Sequence, residues 1–513
     1  MHAHEKVIHR TVALGATLLM LGASFIAPPA QRSARAAAAN APTDSRTFLM
    51  TSPDQFRLGA PPAPGSAKTR RELRTIRRLQ DDLTRRQRRR VEFWNDVPAT
   101  QRWTETAIAM VKKYKDRPPF AARALVLLHT GLYDAMVAAF DSQNTYFRRA
   151  PYKVDDRIDP LFKERGTSYA PEEAAIAGAA GELLPYLFPL EPPATFEALV
   201  DEAIKTRKLA GVNYPSDVKR ARRLGREAAA LFIARGNSDG STNTGFAYPR
   251  PEGEQYWEPT PPPYESPIGG PIGTWLPWAL ESPSEARVAS GIPPPPAYGS
   301  EEFMTDLFEV MDVHANLTDE QKAIATFWDD GPGTGTPPGH WNEIALDLLD
   351  TFDITGTKKT AEIFALLNVV NQDSAIAFFE AKYFWWSIRP ITAVLRLCDD
   401  GTVLCTEAEL EQDPSRRVYA CPAEEGKELW CSYITTPPFP SYPAGHSTFS
   451  GGAGRLLTHY FPEAGDLLNE LAEQAAYSRL LGGIHFRSDN EAGLTLGRTV
   501  AELALARWAT GEL

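Results

Sequence analysis

The sequence predicts an all-α fold: a large helical-bundle domain, laid out like a double four-helix bundle, with a long ordered Pro-rich loop. Three observations carry this. Apolar residues recur at three- and four-residue spacing from 101 to 236 and again from Glu301 to the end. Period-two alternation, the mark of half-buried strands, is sparse. Between the helical halves lies a segment of different composition, residues 237–302, rich in proline, glycine and aromatic rings. Hydrophobic residues make up 43% and charged residues 23%, enough to build a sizeable core. A net charge of -11 argues against a nucleic-acid surface spread over the molecule.

In chain order, His9-Arg10 precedes the apolar run TVALGATLLMLGASFIA and the small-residue stretch SARAAAANA, which reads as a secretory signal over residues 1–39. The mature protein is then expected outside the cytoplasm, with no later segment long and apolar enough to span a bilayer. Residues 40–66, rich in Pro, Ser and Ala, read as a flexible linker. Residues 67–513 are expected to form one all-helical domain, with the chemistry-bearing stretches described below in its half at about 301–513. In TRRELRTIRRLQDDLTRRQRRRVEFW, Leu73, Ile76, Leu79 and Leu83 recur at helical spacing, so the arginines form a solvated face. AARALVLLHTGLYDAMVAAF, EEAAIAGAAGELLPYLF and FEALVDEAIKTRKLA follow as helices; His129 and Asp134 sit in the first, where a lone histidine reads as a packing residue. Tryptophans and tyrosines in the 237–302 loop gain from burial, so it is expected to pack across the helices. No internal repeat is evident. Cys398, Cys405, Cys421 and Cys431 fall in one stretch and read as two disulfides, with proximity favouring Cys398–Cys405 and Cys421–Cys431. Wide spacing without an intervening histidine argues against zinc there.

Chemistry gathers in three stretches. AKYFWWSIRPITAV carries Lys382 seven residues before Arg389, a spacing that places both on one helix face. Alone it would equally suit two snorkelling cations. PFPSYPAGHSTFSGG sets Gly445 and His446 at a helix start, where unsatisfied N–H groups make an anion site and the imidazole can act as acid or base. Alone it would also suit a plain capping turn. YSRLLGGIHFRSDNEAG carries Arg479, His485 and Asp489, with Gly482-Gly483 breaking the helix. Asp489, four residues after His485, can share its helical face, hold Nδ1–H and leave Nε2 free. Read singly, this is a core histidine beside an incidental acid. Read together, three cations and bare backbone donors suit an oxyanion, with one histidine to bond its central atom and one to move protons.

The pattern Lys382-x6-Arg389-Pro390, Pro443-Ala444-Gly445-His446 and Ser478-Arg479-x5-His485-x3-Asp489 resembles the type 2 phosphatidic acid phosphatase superfamily. Within it the chain is similar to the vanadium-dependent haloperoxidases of the chloroperoxidase-like kind, with FWDDGPGTGTPPGHWNEI and PPPPAYGSEEF as further matching pieces. The resemblance implies vanadate as cofactor. His485 would be its direct ligand through Nε2, Lys382, Arg389 and Arg479 would neutralise its oxygens, the Gly445 N–H would donate to another oxygen, and His446 would be the acid–base. Asp330 would pair with Arg479, and Phe439 would stand on the halide side. His340 reads as a structural loop residue. Ala444 stands where the family has a serine, and one lost hydrogen bond to a charged group costs about 1.5–3 kcal/mol unless water replaces it. The implied partners are hydrogen peroxide, halide and a small organic substrate, with hypohalous acid as product; a homodimer is compatible with the resemblance. Two rivals stay open: a secreted acid phosphatase acting on a phosphate monoester with His485 as nucleophile, and a non-catalytic oxyanion-binding protein.

Overall fold

The computed structural model describes residues 46–163, 166–246, 248–260, 264–399 and 431–513. The signal over 1–39 and the cysteine pairings, which involve Cys405, Cys421 and the Cys398 side chain, lie outside the described residues. Sixteen α-helices and no β-strand occur among the described residues. The first half holds α1 (Ala67–Asp81), α2 (Arg85–Asn95), α3 (Ala99–Tyr114), α4 (Pro118–Thr145), α5 (Glu172–Leu187), α6 (Pro193–Leu209) and α7 (Pro215–Ser238). The second holds α8 (Glu285–Ser290), α9 (Glu301–Ala315), α10 (Asp319–Phe327), α11 (Thr336–Thr351), α12 (Thr357–Trp385), α13 (Pro390–Asp399), α14 (Gly445–Tyr460), α15 (Gly465–Leu481) and α16 (Arg487–Thr510).

The arginine-rich run becomes two helices because Thr84 and Gln87 form a reciprocal capping box that opens α2. Leu73 and Ile76 of α1 are buried, so the arginines do face outward on a narrow apolar stripe. Each half is built around one long central helix, α4 or α12, apolar on nearly every side. By length and composition α4 would suffice to cross a membrane, contrary to the expectation from sequence, but 89% of its most apolar window is buried inside the protein. Its neighbours take the place of lipid. Beside the central helices, α5 packs on α7 and α14 on α16, and both pairs use glycine in the same way. A Cβ on Gly225 would run into the Ala175 carbonyl, and one on Gly497 into that of Thr448, so the backbones approach closely at both crossings.

The two halves also share a device invisible as a sequence repeat. On α4, the buried Asp134 carboxylate accepts the N–H groups of Phe48 (2.8 Å), Leu49 (2.9 Å) and Met50 (3.0 Å). On α12, the buried Asp373 carboxylate accepts those of Trp278 (2.8 Å), Ala279 (2.7 Å) and Leu280 (3.0 Å). FLMTSP and WALESP are therefore equivalent straps, each fixed by one acid on a central helix, and Phe48 and Trp278 meet at 6.3 Å. This corrects the linker reading for residues 46–66. Met50 and Leu58 are buried in the main core, and three peptide donors tied to one buried carboxylate outweigh the flexibility that the Pro/Ser composition suggests.

The Pro-rich loop is ordered where described, as expected. Trp257 and Trp275 are fully buried, the Trp257 N–H donates to the Trp386 carbonyl, and the Ile268 N–H donates to that of Pro438 (3.0 Å). It thus braces the end of α12 and the PFPSYP segment together.

His129 on α4 is a packing residue, stacked on Phe364 at 5.1 Å with neither ring nitrogen hydrogen-bonded. Burial pushes it down to about 3. The folded protein keeps it neutral while the unfolded chain protonates it near the usual 6.5, so its contribution is intact above that value and declines as pH falls toward 3. Between those limits each such histidine adds a slope of about 1.4 kcal/mol per pH unit. Denaturant titrations from pH 7 to 4 should show a slope shallower by that amount in His129→Phe than in the parent.

Candidate active site

α12 does not run far enough to carry both cations of the first motif. It ends at Trp385, with Trp386 in the left-handed region (φ 52) donating its N–H to the Lys382 carbonyl. Arg389 lies beyond, immediately before Pro390 opens α13. A proline disfavours helical backbone in the residue before it, so the helix stops and the arginine leaves the Lys382 face. The shared-face expectation was wrong, yet both cations reach one place. Lys382 Nζ donates to the carbonyls of Pro440 (2.9 Å) and Ser441 (2.7 Å), and Arg389 Nε donates to that of Phe439 (2.8 Å). Both charges also lie over the Phe439 ring, at 5.2 and 5.0 Å from its centroid, which shields them from water while its π face attracts them.

The PFPSYP segment then turns into α14. Ala444 is its N-cap, donating its own N–H to the Asp489 carbonyl at 2.9 Å. Alanine makes no side-chain cap there, so the first-turn N–H groups from Gly445 onward have no hydroxyl to occupy them. Gly493 of α16 sits against the Ala444 carbonyl with no room for a Cβ, which draws the starts of α14 and α16 together.

His485 lies just before α16, with Phe486 as N-cap and Asp489 three positions in. The two residues meet through this cap rather than through a shared helical face. Asp489 Oδ2 is 2.9 Å from His485 Nδ1, accepts the Phe486 N–H at 3.1 Å, and accepts the Ser441 hydroxyl. A carboxylate at Nδ1 places the proton there. Nε2 is then the unprotonated nitrogen, and it receives the Arg389 Nη1–H at 3.1 Å. Ser441 had no role in the sequence reading; its only signal is that it stands as a small polar residue between Pro440 and Tyr442-Pro443.

Arg479, in the last turn of α15, is buried and donates to the Trp328 carbonyl and to Ser478 Oγ (3.0 Å). His446 Nε2 lies 3.1 Å from the Asp329 carbonyl and so carries the proton, leaving Nδ1 as the acceptor. One turn, Trp328-Asp329-Asp330, thus orients both groups. The Asp330 carboxylate itself does not pair with Arg479. Both of its oxygens lie 3.1 Å from His340 Nδ1, and the His340 ring stacks on Trp328 at 4.6 Å. Asp330 adopts a left-handed φ of 47, which aims its side chain at the helix bearing His340. His340 is therefore a helix residue that braces the turn, and Asp329 is an acid the sequence reading passed over.

Burial dominates the electrostatics. It lowers Arg389 to about 9 and Arg479 to about 10, and pushes Lys382 well below its ordinary value. His485 and His446 are both held well below 6.5, first by burial and then by the cations around them, Arg389 first for His485 and Arg479 first for His446. Lys382 and Arg479 act on both imidazoles, so the three motifs converge on one locus.

This locus fits an oxyanion such as vanadate. Lys382, Arg389 and Arg479 are each at most 1% exposed, while Asp489 is bound to His485 and Ser441, and Asp330 to His340. Buried positive charge thus exceeds the negative charge facing it, and Arg389 Nη2 is buried with no hydrogen-bond partner. An anion would satisfy both deficits. Because Asp489 fixes the imidazole that would hold it, Asp489→Asn should weaken vanadate affinity about 10- to 100-fold, as loss of an outer partner of a metal ligand does. Equilibrium dialysis at fixed pH, with circular dichroism to verify the fold, measures this.

Comparisons with known proteins bear on the fold and the family resemblance. Residues 362–466 and 466–510 match the family described as VCPO second helical-bundle domain. The vanadium chloroperoxidase of Curvularia inaequalis is 24% identical over 401 residues, 67% of this chain and 61% of that protein, so the chain spans less than two thirds of that relative's length. Among solved structures, that of the first bacterial vanadium-dependent iodoperoxidase superposes with a TM-score of 0.61 at 24% identity, covering 80% of this chain and 96% of that one. A holo-type bacterial vanadium-dependent chloroperoxidase gives 0.52 at 16%, covering 78% and 94%. The chain has the all-helical fold of these enzymes, and the resemblance to vanadium haloperoxidases read from its three motifs is thereby shown.

Proposed function

We propose that this chain is an extracytoplasmic vanadate-dependent haloperoxidase that oxidises halide with hydrogen peroxide to hypohalous acid. The observation that carries the reading is the unprotonated His485 Nε2, fixed from behind by Asp489 and surrounded by three buried cations in excess of their counter-charges. His485 Nε2 would hold vanadate, which when bound supplies Lewis-acid activation of peroxide toward halide attack. Lys382, Arg389 and Arg479 would neutralise its oxygens from fixed positions, with no reorganisation at the moment of reaction. The Gly445 N–H at the start of α14 would donate to another oxygen. His446 Nδ1, left free by the Nε2–Asp329 contact, would take the proton of incoming peroxide and return it to departing water. Phe439, packed on Phe379 at 5.4 Å, would stand on the halide side. Ala444 offers no hydroxyl to the anion, so affinity for vanadate should be modest. The extracytoplasmic location rests on the basic, apolar and Ala-rich composition of residues 1–39, and the two disulfides belong to the same expectation.

An assay of purified protein with hydrogen peroxide, each halide in turn and a halogen-trapping dye, with and without orthovanadate, tests the proposal. Vanadate-dependent halogenation is expected. Hydrolysis of p-nitrophenyl phosphate by the vanadate-free protein, with no halogenation at any halide, would replace the reading by the phosphatase one.

A further inference from the structure

A cavity of about 280 Å³ lies beside the His485–Asp489 pair, bounded on one side by Asp489 itself, and the proposed reaction makes no use of it. Its walls include Tyr256, Tyr298, Phe303, Phe384, Trp385 and Phe486, with Pro294–Pro296 at one edge. Asp306 also lines it, half-buried, and among the described residues its carboxylate accepts only the Ser488 N–H, at 3.3 Å. Its surroundings treat other acids differently. Glu258 is paired with Arg396 at 2.8 Å, Glu380 with Arg287 at 2.9 Å, and Glu309 with Arg487. Two of those arginines also cover ring faces of the wall: Arg396 lies 5.9 Å from the Tyr298 centroid and Arg287 3.8 Å from that of Phe384. Among the described residues, the rings of Tyr256, Phe303 and Phe486 carry no such cation. Asp489 is already engaged by His485, Ser441 and the Phe486 N–H, so among the described residues Asp306 is the acid lining this cavity with no side-chain partner, and it stands among aromatic faces that attract a cation.

We infer that this cavity binds a small organic ammonium ion, its charge against Asp306 and its body against the rings. Carboxylate and π faces together favour a cation over a neutral ring of equal size, since both attract positive charge where water is partly excluded. The volume sits at the lower end of ligand pockets, which limits the guest to about one ring or a short alkyl body. The inference stands independently of the haloperoxidase reading, because it uses none of the oxyanion-facing groups.

Titration calorimetry of the full chain with benzyltrimethylammonium, and with benzyl alcohol as the neutral comparison, tests it. The cation should bind saturably, at least about tenfold more tightly than the alcohol, and Asp306→Asn should remove most of that preference. Equal affinity for cation and alcohol, no saturable binding of the cation, or an unchanged preference in a folded Asp306→Asn protein would each overturn it. Should that variant not fold, Tyr256→Leu decides: Tyr256 is half-buried and no arginine covers its ring among the described residues, and cation binding should weaken severalfold. Unchanged binding there also overturns the inference.

Discussion

His485→Ala is expected to abolish vanadate binding and reduce peroxidase turnover to the buffer rate while the protein stays folded. The imidazole has no substitute. Its Nε2 is the unprotonated nitrogen that Arg389 donates to, and Asp489, the acid behind it, is occupied by Ser441 and the Phe486 N–H. Truncation would leave the Asp489 carboxylate buried with one partner fewer, a cost of about 1–3 kcal/mol that a domain of this size can bear. Loss of vanadate binding by dialysis, together with a retained far-ultraviolet spectrum, would confirm the role. A variant that binds vanadate like the parent would remove His485 from the centre of the site.

Lys382→Met should change stability in opposite directions with and without vanadate. In the vanadate-free protein Lys382 is fully buried beside Arg389, donates to the Pro440 and Ser441 carbonyls, and is held well below its ordinary value by burial. Replacing a buried charge of this kind by an apolar chain of similar length often stabilises a protein by about 1–4 kcal/mol. The same change removes a cation that an oxyanion would need. Parent protein at a vanadate concentration 100 times its dissociation constant should gain about 2.7 kcal/mol, and the variant should gain little. Thermal unfolding of both proteins, with and without orthovanadate, reads all four values. A Lys382→Met protein less stable than the parent without vanadate, yet equally protected by it, would mean that the lysine serves structure and not the anion.

Much of the site could be read from single stretches because its parts are local. Gly445-His446 at a helix start, the break at Gly482-Gly483, and a carboxylate within reach of His485 follow from turn, cap and spacing rules that act over a few residues. Where a local rule was extended too far, it failed. The seven-residue spacing of Lys382 and Arg389 implied a common helix face, but Pro390 ends that reasoning one turn early, and the two cations meet through carbonyls of a segment 50 to 58 residues away. Asp330 was matched to Arg479, but a left-handed backbone turn gave it to His340 instead.

The sequence by itself determined the helical architecture, the Pro-rich interruption between its halves, and the three oxyanion-type motifs. Helical periodicity and caps encode each of these within a window of one or two turns. Only the tertiary structure decided that FLMTSP is a strap and not a linker, that Ser441 secures Asp489, and that Asp306 faces an aromatic cavity with no counter-ion among the described residues. Each of those depends on which distant backbone or side chain arrives at a buried polar group. Burial makes that arrival obligatory, since an unpaired polar atom in the core is costly, but the identity of the partner is set by how whole helices pack.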